Sequence, residues 1–325
     1  MTLPAPAFLL LVATLALAVA CGGHSGDGDD ELFPRVVTLG EGDVFLAIRN
    51  SALGVGENRL SIGLLDRDDE PILGAEVHLR FFDLNGAEPA LKSEADARFV
   101  PVTLSFVDEG AGGERVDTGD DGVYVAPFTF DREGAWGMEA RVTSGGKTYD
   151  RIPFRFVVLP DTPEPGIGDA APPSVQQTLA TASSVEEIDS SFPPRPQMHD
   201  VAIADALRRG QPLVIAFATP AFCRSRTCAP VMDAVMDPLY AAYGDRATFI
   251  HIEPYSLPEL RQANIQNAVP ALRQWRLETE PWIFVVGGDG RIVAKFEGIA
   301  GRDEVEEALM RALEAPPPEA APTPV

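Results

Sequence analysis

The sequence contains no cluster of Lys or Arg: 26 basic residues are scattered among 49 acidic ones over 325 positions, for a formal net charge of −23. A footprint for nucleic-acid phosphates or anionic headgroups needs basic residues gathered on one face, so charge excludes both as partners. The N-terminal apolar run, residues 8–20, falls short of the roughly 20 residues that cross a bilayer and has the length of a signal-peptide hydrophobic region. Cysteines are few. Cys21, Cys223 and Cys228 allow at most one intramolecular disulfide. The length exceeds the roughly 100 to 200 residues of one domain, which points to two folded domains and connecting segments.

What is present at the N-terminus reads as an export signal. The run ends in Ala18-Val19-Ala20-Cys21, and residues 22–30 are polar and Gly-rich, unable to begin a packed core. These four residues resemble a bacterial lipobox, with Ala18 where Leu is usual and no Lys or Arg ahead of the run. The resemblance implies a signal peptide over 1–20, lipidation of Cys21 and a flexible tether over 21–34. The protein would then be exported and lipid-anchored to the membrane, at the outer face of the cell membrane or in the periplasm. Ala18-Val19-Ala20 also satisfies ordinary signal cleavage, which would release a soluble protein. Parity favours the lipid: with Cys21 modified, Cys223 and Cys228 remain an even pair in an oxidising compartment.

Residues 35–160 read as short β runs separated by Gly, Asp and Pro. Candidate strands are 44–49, 59–65, 75–82, 99–107, 123–130, 136–143 and 154–159, with Val77, Leu79 and Phe81 alternating against His78, Arg80 and Phe82. About seven such strands predict an immunoglobulin-like β-sandwich. Gly122-Val123-Tyr124 followed by Gly134-Ala135-Trp136 resembles the closing strands of small extracytoplasmic sandwiches of the YtkA-like kind. Some of those sit beside copper proteins, but His78 is the only histidine here and reads as a polar strand residue, with no Met cluster to supply soft ligands.

Residues 161–196, rich in Pro, Ser, Thr and Ala, predict a semi-extended linker that hinges the two domains. Residues 316–325 are too Pro-rich to pack and are expected to be disordered. Between them, 197–315 alternate helical and strand patterns: a helix over 201–209, the apolar strand 212–217, the cysteines, a helix from about 231, strands at 247–252, 282–286 and 291–296, and a helix over 303–313. Cysteines between a buried strand and a helix N-terminus, with a late hairpin before a closing helix, resemble the thioredoxin fold over nearly all of this segment. The fold class expected is therefore two-domain, an all-β immunoglobulin-like sandwich followed by an α/β thioredoxin-like domain. Residues 275–282 resemble the loop that carries the family's cis-proline. By that resemblance Pro281 would face the cysteine pair and shape a docking groove.

The thiolate is the nucleophile in disulfide exchange, and it is favoured at a helix N-terminus or beside cations. Arg224 and Arg226 lie between Cys223 and Cys228, so they are expected to support a thiolate there. In the family's usual roles Cys223 would attack and Cys228 would resolve. The Cys-x-x-x-x-Cys spacing departs from the family's Cys-x-x-Cys. Positions five apart on a helix differ by about 140°, so Cys223 must occupy the preceding loop, with Cys228 at or near the cap, if the two are to form a disulfide. Thioredoxin's buried carboxylate has no counterpart, because no Asp or Glu occurs between Pro212 and Phe222.

The function expected is extracytoplasmic thiol-disulfide exchange on cysteine-containing exported proteins, with no cofactor and no metal. The alternative is a non-enzymatic partner-binding lipoprotein in which the pair is a structural disulfide. A third reading, copper delivery, would require a histidine late in the domain, as in proteins of the Sco type. Residues 275–281 have none, His251 reads as a sheet-face residue and His199 falls at the linker boundary. Peroxidase chemistry would require a Thr-x-x-Cys motif, and Thr219 stands four residues before Cys223.

Overall fold

In the computed structural model, which describes residues 44–315, the alternation of apolar and polar residues builds one large sheet from the first half of the chain. Its strands are β1 (Phe45–Ile48), β2 (Gly56–Leu65), β3 (Glu76–Asp83), β4 (Ala90–Asp108), β5 (Glu114–Phe130), β6 (Gly134–Ser144) and β7 (Lys147–Val158). They pair antiparallel in the order β1-β2-β5-β4-β3-β6-β7. The two ends of the sheet meet, since the Val55 N–H donates to the Leu159 carbonyl at 3.0 Å and the Leu159 N–H to that of Leu53 at 2.8 Å. Leu60, Ile62, Leu79, Phe81 and Met138 fill the enclosed space. The Trp136 ring stands edge-on to Phe130 and Phe128, at centroid distances of 4.9 and 5.7 Å. Edge-to-face pairs of this kind add attraction beyond simple burial.

A sandwich requires two separate sheets, and here one strand joins them. Residues 90–97 of β4 ladder onto β3, and from Arg98 onward the same strand ladders onto β5. The result is a single seven-stranded near-barrel rather than the expected immunoglobulin-like sandwich. Only 99–107 of this strand was legible, because the polar stretch ahead of it shows no apolar alternation. Beyond the barrel, β4 and β5 continue as a two-stranded arm whose tip turns at Gly112 and Gly113. Gly113 has φ +87° and lies beneath Phe192, where a Cβ would come within 2.2 Å of the ring. No L side chain fits that position without displacing the ring or the arm.

The second half contributes a four-stranded sheet in the order β11-β10-β8-β9. Here β8 is Leu213–Phe217, β9 Thr248–Ile252, β10 Trp282–Val286 and β11 Ile292–Glu297. β8 and β9 run parallel and the other pairs antiparallel. Every side chain of β8 and β10 is buried, which explains their unbroken apolar runs. α1 (Ile203–Arg209) and α5 (Pro270–Gln274) lie against one face. Against the other lie α6 (Arg302–Glu314) and a helical stretch of α2 (Cys228–Val231), a π-turn over Met232–Met236, and α3 (Asp237–Tyr243). α4 (Leu257–Ala263) follows β9. The expected α/β thioredoxin-like domain is corrected on this evidence of architecture. Among the described residues the structure is mostly β and only 21% helical, every α-helix but α6 is seven residues or shorter, and no clear α/β domain of that kind stands apart.

Residues 161–196, expected as a semi-extended linker, wrap the second sheet together with the residues that follow them. Thr162, Glu164, Ser174, Asp189, Arg195 and His199 are buried. Polar burial is tolerated because partners are supplied: Lys295 pairs with Glu164 at 2.6 Å, and the Trp275 indole donates to Ser174 Oγ at 3.2 Å. The two halves are also joined directly. Arg59 makes a bidentate contact with Glu304 at 2.8 Å, Arg98 reaches Asp303 at 2.6 Å, and Arg115 and Arg261 pair with Asp233 and Glu109.

Candidate functional site

β8 ends at Phe217 and delivers the chain into the loop that holds Cys223. The loop turns tightly, with the Phe222 and Cys223 N–H groups donating to the Thr219 carbonyl at 3.1 and 2.9 Å. Arg226, at φ 61°, reverses it again so that Cys228 becomes the first residue of α2. Cys223 thus lies in the loop and Cys228 at the helix start. They approach to 2.6 Å, and both are free thiols.

The two sulfurs are held in opposite states. The Cys228 S–H, the Ser225 hydroxyl and the N–H groups of Cys228 and Thr227 hydrogen-bond toward the Cys223 sulfur and bring its pKa down to about 6, against the opposing effect of burial. Ser225 Oγ lies 3.1 Å from that sulfur and is itself 2.7 Å from Thr227 Oγ1. Burial pushes the Cys228 thiol well up, reinforced by its hydrogen bond to Cys223 and that neighbour's charge. Only one thiolate therefore forms in the neutral range. Ultraviolet thiolate absorbance of the reduced protein is expected to rise with pH through a midpoint near 6, against about 8.5 for a free thiol. A midpoint above 8 would show that these donors do not hold the anion.

The arginines act differently from the sequence expectation. Arg226 stacks its guanidinium 3.8 Å from the centre of the Phe106 ring on the β4–β5 arm, and Arg224 is exposed. Hydrogen bonds within the loop, rather than either guanidinium, hold the thiolate. Pro281 follows a cis peptide bond from Glu280 and opens β10, its carbonyl accepting from the Gly298 N–H at 2.8 Å. Its neighbour Glu280 is the more informative residue. Burial raises its pKa, Tyr255 donates to it at 2.9 Å, and its charge is felt by Cys228. Glu253, at the end of β9, is a second buried carboxyl, pushed up to about 7 by desolvation. Of these two carboxyls, only Glu280 acts electrostatically on a cysteine, and Glu253 interacts with Ser190, Thr219 and the neighbouring histidine and aspartate. Sequence reasoning missed Ser225, Tyr255, Glu253 and Glu280; the signal available was Ser225 standing between the two cysteines.

The arm of the first sheet covers this loop. Past residue 97, β4 has β5 on one side and a free edge on the other. Along that edge the Ser105 N–H donates to the Arg226 carbonyl at 2.9 Å and the Val107 N–H to that of Pro220 at 3.2 Å. Cys223 is only 3% exposed as a result of this packing and its own loop.

No family model and no curated protein matches the chain. Among solved structures, a DUF4426 family protein from Pseudomonas aeruginosa PAO1 is similar over 37% of this chain and 94% of that one, at 18% identity and a TM-score of 0.23. That likeness is too slight to bear on function.

Proposed function

We propose that the chain carries out thiol-disulfide exchange through Cys223 and Cys228, acting on cysteine-containing exported proteins from a lipid tether at Cys21. The observation that carries the reading is the asymmetry of the pair: a thiol brought down to about 6 in contact with a buried one pushed up. A nucleophile whose pKa lies near ambient pH combines thiolate population with reactivity. The Cys223 thiolate attacks one sulfur of a partner disulfide, forming a mixed disulfide and expelling the second partner sulfur as a thiolate. The Cys228 proton passes to that leaving thiolate. The Cys228 thiolate then attacks Cys223 Sγ and releases the first partner sulfur, which takes a proton from solvent. Two electrons move from the pair to the partner, and the reverse sequence oxidises a partner dithiol. No cofactor is required, because the electron pair passes between sulfurs.

The burial of Cys223 favours a second reading, a structural disulfide in a partner-binding protein. A redox titration of the full chain, counting alkylated Cys223 and Cys228 by mass spectrometry, separates the two. A midpoint above about −270 mV is expected for exchange, whereas one below about −300 mV, or thiols that never become accessible, would establish the structural reading.

A further inference from the structure

Behind the cysteine loop, three side chains that the sequence keeps apart converge. Asp189 comes from the wrapping segment, His199 from its end and His251 from the middle of β9. Each is at most 2% exposed. The two imidazoles approach the carboxylate at 3.3 Å, from His199 Nε2 to Oδ2, and 3.5 Å, from His251 Nδ1 to Oδ1. Both nitrogens meet the carboxylate at ion-pair distance, and neither makes a well-formed hydrogen bond to it or to any other group. Buried polar atoms are normally well satisfied, so two imperfectly bonded imidazole nitrogens converging on one carboxylate have the arrangement of a ligand set. Ligand atoms about 2.0 to 2.1 Å from a tetrahedral zinc ion stand roughly 3.3 to 3.4 Å apart; each nitrogen is about that far from one carboxylate oxygen, and one ligand atom from each residue lies within 4.8 Å of the other two.

The surroundings fix these groups as ligands are usually fixed. His251 Nε2 lies 2.9 Å from the Ala218 carbonyl, and donation there leaves Nδ1 with its lone pair toward Asp189. The Asp189 oxygens accept from the Ser191 N–H at 2.8 Å and the Arg195 N–H at 2.6 Å, which orients the carboxylate. The Arg195 guanidinium does not neutralise it, being directed to Asp237 at 2.7 and 2.8 Å. Glu253 adds a second buried carboxyl whose Oε2 is unpartnered. A cavity of about 460 Å³ lies against His199, His251 and Glu253, while the nitrogens that face Asp189 are themselves buried.

We infer that His199 Nε2, His251 Nδ1 and the Asp189 carboxylate bind one divalent transition-metal ion of the zinc class, with the fourth coordination position left to water or a small ligand from the cavity. Two imidazoles and a carboxylate form a borderline nitrogen and oxygen set suited to such ions rather than to soft copper(I). From the sequence, His251 reads as a sheet-face residue and His199 falls at the linker boundary, with no metal expected. The fold makes them neighbours, with ring centroids 5.1 Å apart. The inference stands independently of the exchange reading.

The test uses the full chain carrying Cys223→Ser and Cys228→Ser, so that no thiol competes, stripped with a chelator and titrated with Zn²⁺ alone. One equivalent is expected to bind, and Co²⁺ is expected to give the visible absorption of a tetrahedral site without thiolate charge transfer. Asp189→Asn and His199→Asn should each weaken Zn²⁺ binding by more than about a hundredfold, since loss of an outer-shell partner alone costs 10- to 100-fold. His78→Ala, altering the histidine that contacts Asp96 on the surface at 2.8 Å, should leave binding unchanged. Absence of stoichiometric binding by the folded thiol-free chain would overturn the inference, as would folded Asp189→Asn and His199→Asn variants that retain wild-type affinity, or loss of binding in His78→Ala. If those ligand variants fail to fold, the cobalt spectrum of the thiol-free chain decides.

Discussion

A Cys228→Ser variant incubated with a disulfide-containing exported protein is expected to accumulate a mixed disulfide through Cys223, approaching one adduct per chain, while turnover falls to the uncatalysed level. The serine hydroxyl can still donate to the Cys223 sulfur, as the Cys228 thiol does, so the attacking thiolate survives. What disappears is the second nucleophile, because a hydroxyl cannot displace the partner sulfur at neutral pH. Cys223→Ser should give neither adduct nor turnover. The remaining Cys228 thiol is fully buried and pushed well up, so little thiolate is present. Non-reducing electrophoresis with peptide mapping distinguishes the outcomes, and adducts through Cys228, or full turnover in either variant, would sink the assignment of roles.

The second large effect concerns access. Phe106→Ala removes the ring beneath the Arg226 guanidinium, and alkylation of Cys223 at pH 7 should accelerate by about tenfold if the contact contributes about 1.4 kcal/mol, within the range for a partly desolvated cation and ring. Val107→Pro tests the same covering from the backbone, because it deletes the N–H that reaches Pro220 while Val107 faces away from its β5 partner on that edge. Each variant should raise the rate without moving the thiolate midpoint, since neither residue hydrogen-bonds to the sulfur. Rates unchanged in both would mean that the loop itself, rather than the arm, shields Cys223.

The parts of the molecule that could be read from the sequence are those whose signal is local. Residues 213–217 and 282–286 are unbroken apolar runs, and each is a fully buried strand. The placement of Cys223 in a loop and Cys228 at a helix start followed from the geometry of a five-residue spacing. What could not be read depends on residues distant in the chain. The polar stretch 90–97 becomes a strand because β3 supplies its ladder, and that pairing turns an expected sandwich into one continuous sheet. Asp189 stands in a segment whose composition is that of a linker and His199 at its boundary, yet both are buried in the folded chain. Arg224 and Arg226 looked like electrostatic support, yet the arm draws the Arg226 guanidinium onto Phe106. Glu280 was visible beside Pro281, but nothing local shows that the fold brings its charge to Cys228.

The arm also bears on the order in which the chain comes into being. Synthesis proceeds from the N-terminus, so β4 and β5 are complete well before Pro220 and Arg226 emerge to cap the edge at Ser105 and Val107. Until then a nascent barrel presents unpaired N–H groups of the kind that recruit other strands. Arg115 and the acidic residues Asp108, Glu109 and Glu114 crowd the arm's outer end and keep that temporary edge highly charged. The cysteine loop, when it arrives, is the segment that makes the finished barrel safe from its own copies.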